Sequence, residues 1–216
     1  MEERYTCPQC GKPFPFIRYD VIDTGKRPDM KEKVRNGEAF YVSCPYCGWH
    51  THFDYSFLYR EEGTHTLIYY ANSREFYEAA YYRMTGRNGG RDFESIRTWK
   101  RRVVTSRNDL LEKLLILDCG LDNRIIEIMK GLAFISLKQK YPAAEVDTVL
   151  FDRGGDGSCY FRFSKNETVK AAYAFEESLY GRIDKVLGPK IRELSQEDVV
   201  INSQWAAGIM KELESL

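Results

Sequence analysis

Two cysteine pairs near the start of the chain have the spacing of metal ligands. In each pair a proline follows the first cysteine and a glycine follows the second: Cys7-Pro8-Gln9-Cys10-Gly11 and Cys44-Pro45-Tyr46-Cys47-Gly48. A Cys-x-x-Cys turn lets two sulfurs reach one ion, and four thiolates are the ligand set of a tetrahedral Zn²⁺ site. We therefore predict one Zn²⁺ per chain, with Cys7, Cys10, Cys44 and Cys47 as its ligands.

Four sulfurs would fill the coordination shell of this ion. A filled shell leaves no position for a catalytic water, so the predicted zinc is structural. The alternative is a set of buried or redox cysteines, but a redox pair needs only one Cys-x-x-Cys motif in a thioredoxin-like βαβ context. The 33 residues between Cys10 and Cys44 exceed the usual separation of about 15–20 residues, and we expect them to fold as an insert.

The composition is that of a folded protein without a charge bias. The chain has 216 residues, of which 43% are hydrophobic, and its 32 basic residues balance its 32 acidic residues. A net charge of zero disfavours bulk attraction to nucleic acid or to an anionic membrane. No apolar run approaches the length of a membrane span, and residues 1–4 are charged, unlike the start of a secretory signal. We therefore expect a cytoplasmic protein that does not bind membranes.

One stretch, residues 83–107, combines basic and aromatic side chains. Such a combination suits phosphate contacts and base stacking in a nucleic-acid interface. The alternative is a solvated face paired with the abundant carboxylates, and the zero net charge favours that interpretation. The candidate nucleic-acid-binding residues are Arg83, Arg87, Trp99, Lys100, Arg101 and Arg102.

The three histidines and the two remaining cysteines give no clear site. His50 and His52 would share one face of a strand, and His65 lies on the next predicted strand. They allow a second metal site, but no carboxylate stands at ligand spacing, so we favour exposed or packing roles. Cys119 and Cys159 have no histidine near them in sequence, and nothing supports a nucleophilic role for either.

Two other groups have a simpler structural interpretation. Asp122 and Glu127 allow a catalytic role, but capping of a helix explains Asp122. Residues 152–157 partly resemble a calcium loop, yet Phe163 stands where the bidentate glutamate should be. We interpret this glycine-rich segment as a hairpin turn.

The elements that would position the cysteines form a β-rich, zinc-ribbon-like module over residues 1–71. Its aromatic and β-branched runs are typical of strands. Pro28 and Gly37 fit the start and the stop of a short helix between the cysteine pairs, and Ser73 fits the cap of the helix that follows the module. The strands are expected at residues 14–22, 39–43, 51–59 and 64–70, the last two forming a hairpin.

Residues 72–216 are predicted to form a second domain, so that the whole chain has an α+β fold. Residues 99–140 have apolar side chains at helical spacing, and Ser106 and Asp122 fit the caps of two helices that should form an antiparallel hairpin. A β-hairpin over residues 146–163 and C-terminal helices should follow. These last elements are expected from residue 175, with a break at Gly188-Pro189, a short strand at 199–201 and a final helix capped by Ser203.

The two cysteine motifs resemble the signatures of the CpXC domain, a family of bacteria and archaea. The resemblance covers roughly residues 5–130 and, more weakly, the tail. It implies a prokaryotic, cytoplasmic protein with a zinc-ribbon-like start, and it implies no activity because the family is functionally uncharacterised. The other similar stretches are residues 28–33, 58–59, 108–113 and 120–127.

Three functions remain open on the sequence alone. The first is a non-enzymatic scaffold or adaptor with a structural zinc, which the closed metal shell and the absence of an assembled catalytic set favour. The second is a nucleic-acid-binding module that uses residues 83–107. The third is an enzyme of unidentified reaction, with a pocket between the zinc module and the helices.

Overall fold

The computed structural model describes residues 2–87 and 92–215, and its fold is α+β, as the sequence predicts. The chain divides into two compact units, residues 1–110 and 111–216. The predicted domains, 1–71 and 72–216, place the boundary earlier in the chain and stay a prediction. Within the described residues, no helix is long and apolar enough to cross a membrane.

Short strands dominate the first unit, in line with its many aromatic and β-branched residues. Its elements in chain order are β1 (Glu2–Thr6), β2 (Pro13–Ile17), β3 (Val21–Asp23), α1 (Asp29–Arg35), β4 (Tyr41–Ser43), β5 (His50–His52), β6 (Phe57–Glu61), β7 (Thr66–Tyr70), α2 (Arg74–Thr85), α3 (Asp92–Ile96), β8 (Lys100–Val104) and the start of α4 (Arg107–Asp118).

Two antiparallel hairpins, β1–β2 and β4–β5, each carry one cysteine motif in their connecting turn. Phe14 and Val42 are buried between them, together with Cys7 and Cys44. Around this small core the aromatic rings of Tyr5, Phe16, Trp49 and Phe53 are partly buried. The apolar side chains therefore hold the two hairpins against each other where the cysteines lie.

A four-stranded sheet forms the rest of the first unit, in the order β3-β6-β7-β8. β6 and β7 form the hairpin that the sequence predicts, while β3 and β8 pair in parallel at the two edges. A parallel pair needs a long connection, and α2 and α3 supply it between β7 and β8. The Ser73 side chain accepts a hydrogen bond from Phe76 N at 3.3 Å, which confirms the predicted cap of α2.

The second unit contains the end of α4, a long helix and a three-stranded antiparallel sheet in the order β11-β10-β9. Its apolar core brings together Ile125 and Ile126 of that helix with Phe151, Phe161 and Phe163 of the sheet. The elements after α4 are α5 (Asn123–Lys140), β9 (Thr148–Arg153), β10 (Cys159–Lys165), β11 (Thr168–Ala174), α6 (Glu177–Val186), α7 (Gly188–Leu194) and α8 (Ser203–Glu214).

The helical prediction for residues 99–140 is wrong at its start. Lys100–Val104 forms β8, and its backbone pairs with β7 from Lys100 to Val104. This strand is buried from Arg101 onward, and the β-branched Val103 and Val104 suit a buried strand. Beyond it the prediction is confirmed, since α4 and α5 begin where the caps at Ser106 and Asp122 place them.

Smaller departures concern the ends and breaks of elements. The predicted strand at residues 14–22 is divided into β2 and β3, and residues 38–40 form a 3₁₀ turn before β4. β11 is an additional strand that the sequence did not indicate, and residues 199–201 lie outside every strand that the structure describes. The cap of α8 is Asn202, whose side chain accepts from Trp205 N at 2.9 Å, and not Ser203.

Candidate metal centre

The four predicted ligands come together between the two hairpins. The Sγ atoms of Cys7 and Cys47 are 3.6 Å apart, those of Cys10 and Cys44 are 3.7 Å apart, and all four sulfurs lie within 4.8 Å of one another. A tetrahedral ion with Zn–S bonds of about 2.3 Å requires sulfurs about 3.8 Å apart. The observed spacing therefore fits one tetrahedral metal ion.

The two turns that carry the cysteines, which we call the knuckles (residues 7–11 and 44–48), share one backbone pattern. In each, the glycine N–H donates to the carbonyl of the first cysteine, at 2.9 Å for Gly11 and 3.0 Å for Gly48. Both glycines have positive φ, +67° and +74°, where a side chain would be strained. The glycines let the backbone of each knuckle turn sharply enough for both of its sulfurs to point at one position.

Burial differs among the four sulfurs. Cys7 and Cys44 are 1% and 2% exposed, Cys10 is half-buried, and Cys47 is exposed. The Tyr5 ring stacks on Trp49 with centroids 6.0 Å apart and packs edge-on against Phe14. Aromatic rings therefore cover one side of the site, while the second knuckle reaches the surface.

Backbone donors and crowding set the acidity of the thiols. Burial would raise the pKa of Cys44, but backbone amides of its knuckle and the neighbouring thiols lower it to about 7. The Trp49 amide would lower the pKa of Cys47, but burial and the surrounding sulfurs raise it to about 12. One thiolate therefore forms near neutral pH, and its negative charge opposes the next. A bound cation would remove that repulsion.

The histidines are not gathered into a second metal site. Among the described residues, the four cysteines are the one group of three or more His, Cys, Asp or Glu side chains close enough to hold an ion. His52 lies against the Tyr41 ring, with centroids 3.8 Å apart, and its ring nitrogen contacts Arg107. Burial, and then the Arg107 charge, lower the pKa of His52. His65 packs edge-on against Trp99 at 5.3 Å.

The six candidate nucleic-acid-binding residues do not share one exposed face. Arg101 and Arg102 are only 4% and 7% exposed, because they lie on β8 inside the first unit. The Arg101 guanidinium donates to Met84 O at 2.5 Å, and that of Arg102 donates to Arg101 O at 2.6 Å. These two arginines therefore support the fold in this structure.

The other four candidates are closer to the surface. Arg83 and Lys100 are exposed, and the exposed Arg87 lies over the Tyr81 ring at 5.2 Å. Trp99 is half-buried, with the Arg60 guanidinium 5.1 Å from its ring. Arg91, a further basic residue of the 83–107 stretch, lies outside the described residues.

A buried cluster of four charges in the second unit was missed by sequence reasoning. Lys130 of α5 lies 2.9 Å from Glu112 of α4 and 3.1 Å from Glu127, and Lys113 lies 3.2 Å from Glu127. Burial would raise the pKa of Glu112, but the two lysines lower it, and Phe151 N donates to its carboxylate at 2.6 Å. Glu127 therefore balances charge in the core. The sequence signal that could have revealed this cluster was the pair Glu127 and Lys130, at i,i+3 within an apolar helix.

Two further sequence interpretations concern Asp122 and the glycine-rich turn. The Asp122 side chain accepts from Arg124 N at 2.9 Å and caps α5 as predicted. Residues 154–157 form the turn between β9 and β10, where Gly154 N donates to Ser158 O at 2.8 Å. The Asp156 carboxylate accepts hydrogen bonds from the hydroxyl and the backbone amide of Ser158, as expected of a hairpin turn.

Two short hairpins that aim four cysteines at one point define a protein with a four-thiolate metal-binding centre. The chain belongs to the CpXC family: the family described as CpXC protein matches residues 5–130, more than half of its length. No curated protein and no solved structure matches the chain. Membership of the family agrees with metal binding and assigns no activity.

Proposed function

We propose that Cys7, Cys10, Cys44 and Cys47 bind one structural Zn²⁺, and that the protein is a non-enzymatic scaffold or adaptor stabilised by that ion. The observation that carries the proposal is the convergence of four sulfurs, from two knuckles, within 4.8 Å. Four sulfurs fill a tetrahedral shell, and such an ion folds the chain around it without leaving a position for a reacting water.

Zinc is favoured by the chemistry of the donor set. Thiolates select soft or borderline ions, and a tetrahedral four-sulfur site suits either zinc or iron. Each knuckle also holds its two sulfurs on a hydrogen-bonded glycine turn, so that both can reach one ion. A closed shell of four thiolates is typical of a structural zinc site.

Cobalt substitution tests the ligand set. Reduced, metal-free protein is titrated with Co²⁺, whose absorption distinguishes tetrahedral thiolate coordination from hydrated or octahedral ions. We expect the tetrahedral four-thiolate spectrum to saturate at one equivalent and to disappear when one equivalent of Zn²⁺ is added. The Cys47→Ser variant should lose the four-thiolate spectrum, while Cys159→Ser, the matched control, should keep it. An octahedral spectrum, or one that Cys47→Ser leaves unchanged, contradicts the proposal.

The scaffold role rests on partner binding. Affinity capture of the zinc-loaded full chain from native cells should return the same protein in independent preparations, and the complex should re-form from purified components. Failure to find a reproducible partner under these conditions would count against an adaptor and leave the metal proposal standing.

The nucleic-acid alternative has its remaining support in Arg83, Arg87 and Lys100, which are exposed, and in the half-buried Trp99. A titration with single-stranded oligonucleotides at low salt distinguishes it from the scaffold role. Binding that is weakened by Arg83→Glu with Lys100→Glu, and that falls steeply with salt, would favour the alternative. The buried Arg101 and Arg102 are unsuitable for this test, because charge reversal there disturbs the fold.

A further inference from the structure

Two cysteines outside the metal centre, Cys119 and Cys159, lie together in the second unit. Cys119 follows the last residue of α4, and Cys159 is the first residue of β10. Both are half-buried and pack against the same apolar core. The chain brings them together although 39 residues separate them in sequence.

One guanidinium contacts both sulfurs. Arg153 is the cross-strand partner of Cys159 in the β9–β10 pairing, and its Nη2 donates to Cys119 Sγ at 2.8 Å. Interaction with Cys159, and then with Cys119, raises the pKa of Arg153. A permanent positive charge beside two thiols stabilises the thiolate form, which is the form that reacts with oxidants.

The two thiols are not equivalent. Burial, and then the neighbouring Cys159, raise the pKa of Cys119, although Arg153 opposes both effects. Both effects disfavour the thiolate form of Cys119. Since Cys159 stands opposite Arg153 in the β9–β10 pairing and the Cys119 thiolate is disfavoured, we assign the first nucleophilic step to Cys159 and the second to Cys119.

We propose that Cys119, Cys159 and Arg153 form a peroxide-sensitive thiol site, in which a hydroperoxide converts the two cysteines into an intramolecular disulfide. It is separate from the proposed metal centre, since none of its three residues belongs to either knuckle.

The chemistry balances with hydrogen peroxide as the oxidant. The Cys159 thiolate attacks one peroxide oxygen, the O–O bond breaks, and the departing hydroxide takes up the proton that the thiol released, which gives water and a sulfenic acid on Cys159. The Cys119 sulfur then attacks the sulfenic sulfur, the S–O bond breaks, and the hydroxide leaves as water with the Cys119 proton. Two thiols and one peroxide thus give one disulfide and two waters, with the dithiol oxidised and the peroxide reduced by two electrons.

The site suits a small oxidant. Both sulfurs are half-buried and the Arg153 side chain is exposed, so a peroxide can reach the thiols without unfolding of the unit. Each sulfur has the other thiol as a resolving partner, as redox-sensor cysteines often do. The disulfide would tie the end of α4 to the start of β10.

Peptide mapping tests the proposal directly. Reduced, zinc-loaded full-length protein is treated with one equivalent of hydrogen peroxide, alkylated and digested with trypsin. We expect a linked pair of peptides, residues 114–124 and 154–162, with the loss of two free thiols per chain. Unlinked peptides carrying alkylated Cys119 and Cys159, or separate overoxidation of the two cysteines, would overturn the proposal.

Variants separate the roles of the three residues. With Cys119→Ser, the sulfenic acid on Cys159 has no resolving thiol and should be trapped by dimedone. With Cys159→Ser, dimedone should label Cys119 far more slowly. Equal labelling of the two variants, in protein with unchanged circular dichroism, would contradict the assigned order.

Arg153→Gln should slow formation of the disulfide about tenfold, the change in thiolate population that one pKa unit gives. Arg153→Lys is the matched control, because it keeps the positive charge, and it should retain most of the rate. In Arg153→Gln the second peptide becomes residues 141–162, because one trypsin site is removed. An unchanged rate in Arg153→Gln would show that the guanidinium does not activate the pair.

Discussion

At the scale of single residues, Glu61 shows how the first unit satisfies a buried charge. Its carboxylate accepts hydrogen bonds from Lys31 Nζ at 2.8 Å, Arg35 Nη2 at 3.1 Å and the Tyr59 hydroxyl at 2.5 Å. Burial would raise the pKa of Glu61, but these donors lower it. Together they link α1 to β6, and thereby fix the insert between the two knuckles to the sheet.

We predict that Glu61→Gln destabilises the first unit by about 2–3 kcal/mol at neutral pH, because the substitution leaves the buried Tyr59 hydroxyl and the half-buried Arg35 guanidinium without their charged acceptor. Urea unfolding in a Trp205→Phe background measures it, since the other two tryptophans, Trp49 and Trp99, lie in the first unit. Glu62→Gln is the control: Glu62 is exposed, lies 3.5 Å from the Arg60 guanidinium, and its substitution should change stability by at most about 0.5 kcal/mol.

The stability difference between wild type and Glu61→Gln should depend on pH. Since the pKa of Glu61 is lower in the folded state, its contribution is fully present above the unfolded-state pKa of about 4.3 and is lost as the pH falls through the folded-state pKa. The stability difference between wild type and Glu61→Gln should therefore be constant from pH 7 to about pH 5 and shrink below about pH 4. A difference that grows on acidification would contradict this account of the carboxylate.

Residues differ in how much of their role the sequence reveals. The knuckles could be predicted because the proline, the glycine and the cysteine spacing are local, and the structure brings the four sulfurs together. The charge cluster around Glu112 could not, because its members meet through α4 and α5, and Phe151 adds a donor from β9. The Cys119–Arg153–Cys159 group likewise depends on how β10 is placed.

At the scale of elements, helix ends were predicted better than strand pairing. Ser73 and Asp122 cap their helices as expected because a cap needs only the residues that follow it. β8 was assigned to a helical region because its five residues stand directly before an apolar helix, and only pairing with β7 distinguishes them. β11 was not predicted because it is largely exposed and lacks a run of buried residues.

The corrected cap of α8 leads to a prediction at this scale. Asn202→Ala should destabilise the second unit by about 1 kcal/mol, because the Trp205 N–H loses its acceptor, whereas Ser203→Ala should change stability by only a few tenths. Asn202→Asp keeps an acceptor and should restore most of the loss. The free energy of unfolding, followed by Trp205 fluorescence, measures all three. A larger effect of Ser203→Ala would assign the cap to Ser203 instead.

At the scale of the whole molecule, the chain forms two compact units, and the candidate metal centre lies in one of them. The zero net charge of the full chain and the burial of Arg101 and Arg102 both weaken the case for nucleic-acid binding. The sequence predicted the α+β fold and the metal-binding start. Its domain boundary after residue 71 stays a prediction, and the sheet of the first unit includes β8.

Removal of the metal should affect the two units differently. We expect chelation under reducing conditions to increase amide hydrogen exchange in β1, β2, β4 and β5, because the apolar core between these hairpins is small and the ion supplies part of their folding energy. Exchange in α5, β9 and β10 should stay as it was. Equal loss of protection in both units would mean that the ion supports the whole chain, and no change anywhere would mean that it stabilises neither.

The metal content of the purified protein tests the central claim most directly. Full-length protein is produced with added zinc, purified in reducing buffer and analysed for zinc and iron by elemental mass spectrometry. The account predicts one zinc per chain, its loss in Cys44→Ser, and its retention in Cys119→Ser, which removes a thiol outside the site. Negligible zinc in the wild type, iron in its place, or full zinc in Cys44→Ser would contradict a structural zinc held by Cys7, Cys10, Cys44 and Cys47.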